Sequence, residues 1–68
     1  MTISINRPDY KDTWFEMVKD NLKAGKNVAL ENFDYSADLD KCYVLARQFK
    51  AKMFIDAEMT ICHFLISN

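Results

Sequence analysis

The sequence predicts a small α+β domain in which a single-layer sheet of three to four strands carries two helices, in the order β-α-β-α-β-β. Three observations predict this class: polar and apolar residues alternate near the start, two central stretches have the apolar spacing of helices, and two β-rich segments end the chain. Because 68 residues leave room for only one core, we expect a single domain over residues 1–68.

The first half of the chain predicts a strand, a helix and a turn. Residues 2–5 alternate polar and apolar side chains as a half-buried strand does, and Pro8 then suits a first helical turn. A helix is predicted over residues 10–24, with apolar positions at helical spacing: Tyr10, Trp14, Met17, Val18 and Leu22. Gly25, the only glycine, predicts a helix end in the left-handed conformation.

The second half predicts a short strand, a helix and a hairpin. Residues 28–33 favour a strand that weakens at Asn32, and Ser36 is the predicted cap of a helix over residues 37–50. Residues 53–55 and 60–66 read as two strands joined by a turn at 56–59. Since the last strand is apolar on both faces, it is predicted to be an interior strand of a sheet covered on both sides.

One hydrophobic core is expected to join the elements. The predicted members are the large apolar residues of both helices and of the last strand: Trp14, Val18, Leu22, Tyr43, Phe49, Phe64 and Ile66.

The charge pattern disfavours a dedicated nucleic-acid binder. Nine basic and ten acidic residues give a net charge of -1, and both signs are interspersed, whereas gripping a phosphate backbone needs a concentrated positive field. On a helix, Arg47 and Lys50 share one side and Lys41 lies opposite, so these residues and Lys52 form no single cationic stripe. A solvated face is the favoured interpretation.

Cysteine use and hydropathy indicate a cytoplasmic protein without a membrane segment. Two cysteines, Cys42 and Cys62, are too few for a disulfide-stapled secreted domain, so we expect both to be reduced. The start of the chain lacks the features of a signal peptide, and no apolar run approaches the roughly 20 residues that span a bilayer.

Neither a metal site nor an enzyme is predicted, and no cofactor is expected. His63 follows Cys62, but neighbours on a strand point to opposite faces and cannot easily share one site. An approach of Cys42 to His63 from the second helix is left open. The acids from Glu31 to Asp40 lack the ligand spacing of a calcium-binding loop, and a chain this small has little volume for a catalytic cleft.

The predicted partner-binding site is the turn from Glu31 to Asp40. Tyr35 is the expected aromatic anchor, because a surface tyrosine buries ring area at low entropic cost. Acids around it would steer a basic surface by long-range attraction. The full predicted set is Glu31, Asp34, Tyr35, Asp38 and Asp40, together with Phe15, which lies at the border of the first helix's apolar stripe. The alternative is structural: Tyr35 staples the helix start and the acids cap it.

Residues 45–54, with the sequence LARQFKAKMF, resemble the helix-into-hairpin end of small bacteriophage accessory proteins. The resemblance covers about the last thirty residues, and no functional residue carries over from it. It implies a protein that binds and redirects one host protein, or a small DNA-binding regulator. Three functions are therefore carried forward: an interaction domain that modulates a larger protein, a DNA- or RNA-binding regulator using the second helix and final hairpin, and a homo-oligomeric subunit such as a homodimer.

Overall fold

A computed structural model, which describes residues 2–66, confirms the predicted α+β class. Four strands and two α-helices follow one another in the predicted order, and a short 3₁₀ helix lies between the first strand and the first α-helix. The elements are β1 (Thr2–Asn6), the 3₁₀ helix (Arg7–Tyr10), α1 (Trp14–Lys23), β2 (Asn27–Glu31), α2 (Tyr35–Gln48), β3 (Lys52–Ile55) and β4 (Ile61–Leu65).

The four strands form one mixed sheet in the order β1-β2-β4-β3. β1 runs parallel to β2, whereas β4 is antiparallel to both of its neighbours, β2 and β3. The prediction that the last strand is interior is therefore confirmed. β1 and β3 are the two edge strands.

One face of the sheet carries the core. The strand residues that meet there are Ile3 and Ile5, Val28 and Leu30, Cys62 and Phe64, and Met53 and Ile55. Both helices pack on this face, because α1 contacts β1, β2 and α2 while α2 contacts β3. The expectation of a sheet covered on both sides is wrong, since the two helices lie side by side on the same face.

The first helix starts later than predicted. Residues 7–10 form the 3₁₀ helix, and the chain then turns, with the N–H of Thr13 donating to the carbonyl of Tyr10 at 2.9 Å. α1 begins only at Trp14. Its end agrees with the prediction, since Gly25 has a φ of 80° and closes the helix in the left-handed conformation.

The second helix is shifted towards the start of the chain by two residues at each end. Its cap is Asp34 and not Ser36: the Asp34 carboxylate accepts from the N–H groups of Ser36 at 3.0 Å and Ala37 at 3.2 Å. The helix ends early because Lys50 adopts a left-handed φ of 54° without being a glycine. Ala51 then donates its N–H to the carbonyl of Ala46 at 2.8 Å, which closes the last turn.

Most of the predicted core is confirmed. Trp14, Val18, Leu22 and Phe64 are buried, and Phe49 and Ile66 are half-buried against the same cluster. Tyr43 is the exception, since 51% of it is exposed. It directly follows the buried Cys42, and 100° of helical rotation carries it out of the core.

Over residues 2–66, neither helix is both long enough and apolar enough to traverse a bilayer.

Candidate functional site: the open face of the sheet

The side of the sheet that faces away from the helices is left uncovered, and we call it the open face. Because side chains alternate along each strand, it carries the residues between the core positions. Strand pairing arranges these in a central row across the sheet, consisting of Ser4, Ala29, His63 and Phe54. β4 adds Ile61 and Leu65 on either side of His63.

Phe54 and His63 form an aromatic pair on this face, near the β3 edge of the sheet. They are directly opposed on β3 and β4, and their rings stack with centroids 4.5 Å apart and planes 13° from parallel. Phe54 is 45% exposed and His63 is half-buried. The stack holds an exposed aromatic ring in one orientation on a rigid strand.

The open face is apolar on one half and polar on the other. Ile61, Leu65 and Phe54 lie on β3 and β4, where Lys52 is the charged residue that flanks Phe54, whereas β1 contributes the polar side chains of Thr2, Ser4 and Asn6. The amide of Asn32 donates to the side-chain oxygen of Asn6 at 2.9 Å and so closes this polar border. An apolar centre with a polar rim is the usual anatomy of a protein-binding surface.

The predicted partner-binding turn is built around the start of α2. Asp34 caps the helix, and Tyr35 is its first residue, 41% exposed, with its ring edge-on to the buried Phe33 at 6.3 Å. These contacts agree with the alternative in which Tyr35 staples the helix start. Because Tyr35 also remains accessible, its role as an anchor stays a prediction.

Asp38 belongs to the interior of this turn. It is 2% exposed, and its carboxylate accepts from Arg7 Nε at 2.9 Å, from Arg7 Nη2 at 3.3 Å and from the N–H of Asp34 at 3.1 Å. The hydrogen bond with Asp38 raises the pKa of the Arg7 guanidinium. Asp38 thus ties the 3₁₀ helix to α2, and its side chain is occupied by internal partners.

The other predicted residues are not brought together. Asp40 is exposed on α2, whereas Glu31 lies at the end of β2 on the open face, opposite Ile61. Phe15 is half-buried on α1, with its ring edge-on to Trp14 at 5.8 Å. Of the six predicted residues, Asp34, Tyr35 and Asp38 lie together at the start of α2, whereas Glu31, Asp40 and Phe15 lie elsewhere.

Phe15 lines a shallow cleft between the two helices. The cleft has a volume of about 380 Å³ and is lined by Asp12, Phe15, Glu16, Lys41 and Val44. Its volume lies near the lower end of the roughly 300 to 1,000 Å³ usual for ligand pockets, and it is open to solvent rather than enclosed. The cleft is a weaker candidate site than the open face.

The structure answers the question left open about Cys42. Cys42 and Cys62 are both free, fully buried and adjacent in the core, whereas His63 lies on the open face. The hydrogen bond with Cys62, together with burial, raises the pKa of the Cys42 thiol. Cys42 therefore stays protonated and does not meet His63. Within residues 2–66, no three His, Cys, Asp or Glu side chains are grouped so that they could hold a metal ion.

The site predicted from the sequence does not include the central open-face residues, Phe54, His63, Ile61 and Leu65. The signal is present, since β4 is apolar on both faces, but this pattern also predicts a strand buried on both sides. Two helices of 10 and 14 residues cover one face of a four-stranded sheet. Counting the available covering elements would have indicated an exposed apolar face.

Comparisons with protein-family models, with curated proteins and with solved structures found no match to this chain.

Proposed function

We propose that this chain is a small non-enzymatic interaction domain that binds a larger protein through the apolar half of its open face. The observation that carries this proposal is the exposed Phe54, fixed by its stack on His63 on a sheet face that neither helix covers.

Three features of the open face favour a protein partner. Aromatic side chains, phenylalanine among them, are enriched in the buried centres of protein interfaces, and Phe54 is the exposed aromatic residue of the apolar half. Its ring is already ordered by His63, so binding costs little additional side-chain entropy. The polar side chains along β1 supply the rim that separates such a centre from water.

The resemblance of residues 45–54 to small bacteriophage accessory proteins supports a partner in the cytoplasm of a host cell. An inhibitor or modulator of this kind acts by occupying a surface that the host protein otherwise uses. A β-strand face suits this role because its side chains are held on a rigid scaffold.

The test compares two surfaces of the same domain. Wild-type protein is immobilised and used to capture proteins from the native host lysate, with mass spectrometry of what is retained. Ile61→Thr combined with Leu65→Thr changes the open face, and Tyr35→Ala changes the turn at the start of α2. Circular dichroism and thermal unfolding establish that each variant is folded.

We expect one host protein to be retained by the wild type and by Tyr35→Ala, and lost with the open-face variant. Loss with Tyr35→Ala alone would instead place the binding site at the turn. If the wild type retains no protein specifically, or if the open-face variant retains the same protein equally well, the proposal is wrong.

A second candidate function, binding of single-stranded DNA or RNA by the final hairpin and α2, is favoured by one observation. Aromatic rings on an open sheet face form stacking platforms for bases, and Phe54 and His63 provide such rings. The charges of this face oppose it, since Lys52 is accompanied by the acids Glu31 and Asp56. Fluorescence anisotropy with labelled oligonucleotides distinguishes the two: binding that weakens steeply with salt and is lost in Phe54→Ala would favour nucleic acid.

A further inference from the structure

We propose that β3 also pairs with β3 of a second copy of this chain, so that two sheets join edge to edge about a twofold axis at Phe54. β3 is at one end of the sheet and is paired only with β4 among the described strands. An edge strand presents unpaired backbone groups that serve as a template for another strand.

The hairpin geometry shows which backbone groups of β3 are free. The N–H of Asp56 donates to the carbonyl of Ile61 at 3.1 Å, so residue 56 forms a hydrogen-bonded pair with β4. Along an antiparallel ladder, hydrogen-bonded pairs alternate with non-hydrogen-bonded pairs. The N–H and C=O groups of Phe54 and Lys52 therefore also point towards β4. Those of Met53 and Ile55 consequently point outwards.

These outward groups restrict the register of a β3–β3 pair, and pairing Met53 with Ile55 uses the outward groups of both residues in both copies. When Met53 of one copy exchanges hydrogen bonds with Ile55 of the second copy, the twofold axis passes between the two Phe54 residues. Lys52 then lies opposite Asp56 of the second copy, on the same face as Phe54.

Every cross-strand pair in this register is complementary. The two Phe54 rings meet on the open face, each flanked by its own His63, and Met53 meets Ile55 on the core face. Two opposite-charge pairs, Lys52 with Asp56, close the ends. A lysine on an edge strand usually prevents such pairing, but in this register Lys52 lies opposite the carboxylate of Asp56.

Asp56 retains an acceptor position for this contact. Its carboxylate accepts from the N–H groups of Thr60 at 2.7 Å and Ile61 at 2.8 Å and from the Thr60 hydroxyl at 3.1 Å. A carboxylate has about four acceptor positions, so one remains for the ammonium group of Lys52 of the second copy.

Exposed Tyr43 lies on the side of α2 that faces away from α1. Lys41 and Val44 line the cleft with α1, and Tyr43 projects roughly 160° from Lys41 around the helix. Because α2 contacts β3, pairing of two copies at β3 would bring the two α2 helices closer together. We expect this to reduce the exposure of a tyrosine that is 51% exposed in the single chain.

The dimer goes beyond the proposed function, because joining the sheets makes one continuous open face from two copies. The two proposals fail separately. Partner capture is tested at Ile61 and Leu65 on the interior strand β4, whereas pairing of the copies is tested at residues of the β3 edge.

The first experiment measures mass in solution. Sedimentation equilibrium of the wild type over a concentration series should show the mass rising from 8.0 kDa towards twice that value. Lys52→Glu puts like charges opposite each other at both ends and should weaken the dimer about tenfold. Lys26→Glu, the same charge change on an exposed turn residue away from the β3 edge, should dimerise like the wild type. A wild-type mass of 8.0 kDa at every concentration overturns the proposal.

The second experiment traps the register. In the proposed pair the two Phe54 positions have Cα atoms about 4.5 Å apart, within the range that a disulfide spans, so Phe54→Cys should form a covalent dimer on mild oxidation. Lys52→Cys is the matched control, because the two Lys52 positions are separated by about 13 Å along the strands and should not cross-link. The wild type should not cross-link either, since Cys42 and Cys62 are fully buried. Cross-linking of Lys52→Cys without Phe54→Cys would show a different register and overturn this one.

Discussion

The carboxylate of Asp38 shows how much one residue contributes to this fold. It joins segments 31 residues apart in sequence by accepting from the guanidinium of Arg7, and it also satisfies the N–H of Asp34. Helix capping by an acid in the first turn is a local signal, and it correctly indicates a negative charge at this position. The partner of that charge is set by tertiary structure, because Arg7 and Asp38 meet only after the chain has folded.

We predict that Asp38→Ala lowers the free energy of unfolding by about 1 to 3 kcal/mol, since Arg7 and the N–H of Asp34 lose a charged acceptor. Asp38→Asn should lie between Asp38→Ala and the wild type, because an amide oxygen still accepts from Asp34. Asp40→Ala, on the exposed side of the same helix, should change stability by no more than about 0.5 kcal/mol. Urea unfolding followed by circular dichroism measures all three, and equal stability of the two alanine variants would contradict the structural role of Asp38.

Among the elements, the β3–β4 hairpin depends most clearly on a single charge. Asp56 directly follows β3, and its carboxylate accepts hydrogen bonds from the turn that returns the chain into β4. The pKa of the Asp56 carboxyl is held below its ordinary value by the hydrogen bonds that it accepts. The N–H of Ile61 contributes most, and the N–H and hydroxyl of Thr60 add to it. A turn at residues 56–59 was predicted from the sequence, but the hydrogen bonds that hold it were not.

The pH dependence of stability follows from this lowered pKa. Because the folded-state pKa of Asp56 is below its unfolded value, its stabilising contribution is complete above the unfolded pKa and is lost as pH falls through the folded pKa. Asp56→Asn should therefore be less stable than the wild type at neutral pH, and the difference should shrink as the solution is acidified.

Urea unfolding at a series of acidic pH values measures this difference. Thr60→Val is the matched control: it removes the hydroxyl donor but keeps both backbone donors, so most of the pH dependence should remain. A constant gap between Asp56→Asn and the wild type at all pH values would show that the charge of Asp56 does not hold the hairpin.

For the whole molecule, burial of apolar surface in one small core is the main contribution that opposes the conformational entropy gained on unfolding. Phe64 lies in the middle of β4, fully buried, between Val28 on β2 and Met53 on β3. A domain of this size usually has only about 3 to 5 kcal/mol of net stability. A single large truncation in the core can therefore remove nearly all of it.

We predict that Phe64→Ala is largely unfolded at room temperature, because truncating a buried phenylalanine costs about 3 to 5 kcal/mol. Phe54→Ala is the matched control, since it makes the same chemical change at an exposed position on β3, the strand paired with β4. This variant should keep a cooperative transition. Thermal unfolding monitored by circular dichroism at low protein concentration compares them. A melting temperature of Phe64→Ala close to that of the wild type would place this residue outside the core.

The amino-acid sequence by itself determined the α+β class, the order of the elements and the interior position of β4. These features follow from local patterns: the spacing of Trp14, Val18 and Leu22, the left-handed Gly25, and the apolar run of β4. Such patterns repeat within a few residues and need no knowledge of the rest of the chain. The end of α2 is predicted wrongly, because Lys50 adopts a left-handed conformation there. A lysine gives no local signal for that conformation.

Tertiary structure alone decided which surfaces of the molecule are left uncovered. An apolar strand face looks the same in sequence whether a helix, a second protein or water lies against it. Here both helices pack on one side, so Phe54, His63, Ile61 and Leu65 remain on the open face, and Tyr43 falls outside the core although its spacing placed it inside. The physical reason is that burial depends on contacts between elements distant in sequence, which local periodicity does not specify.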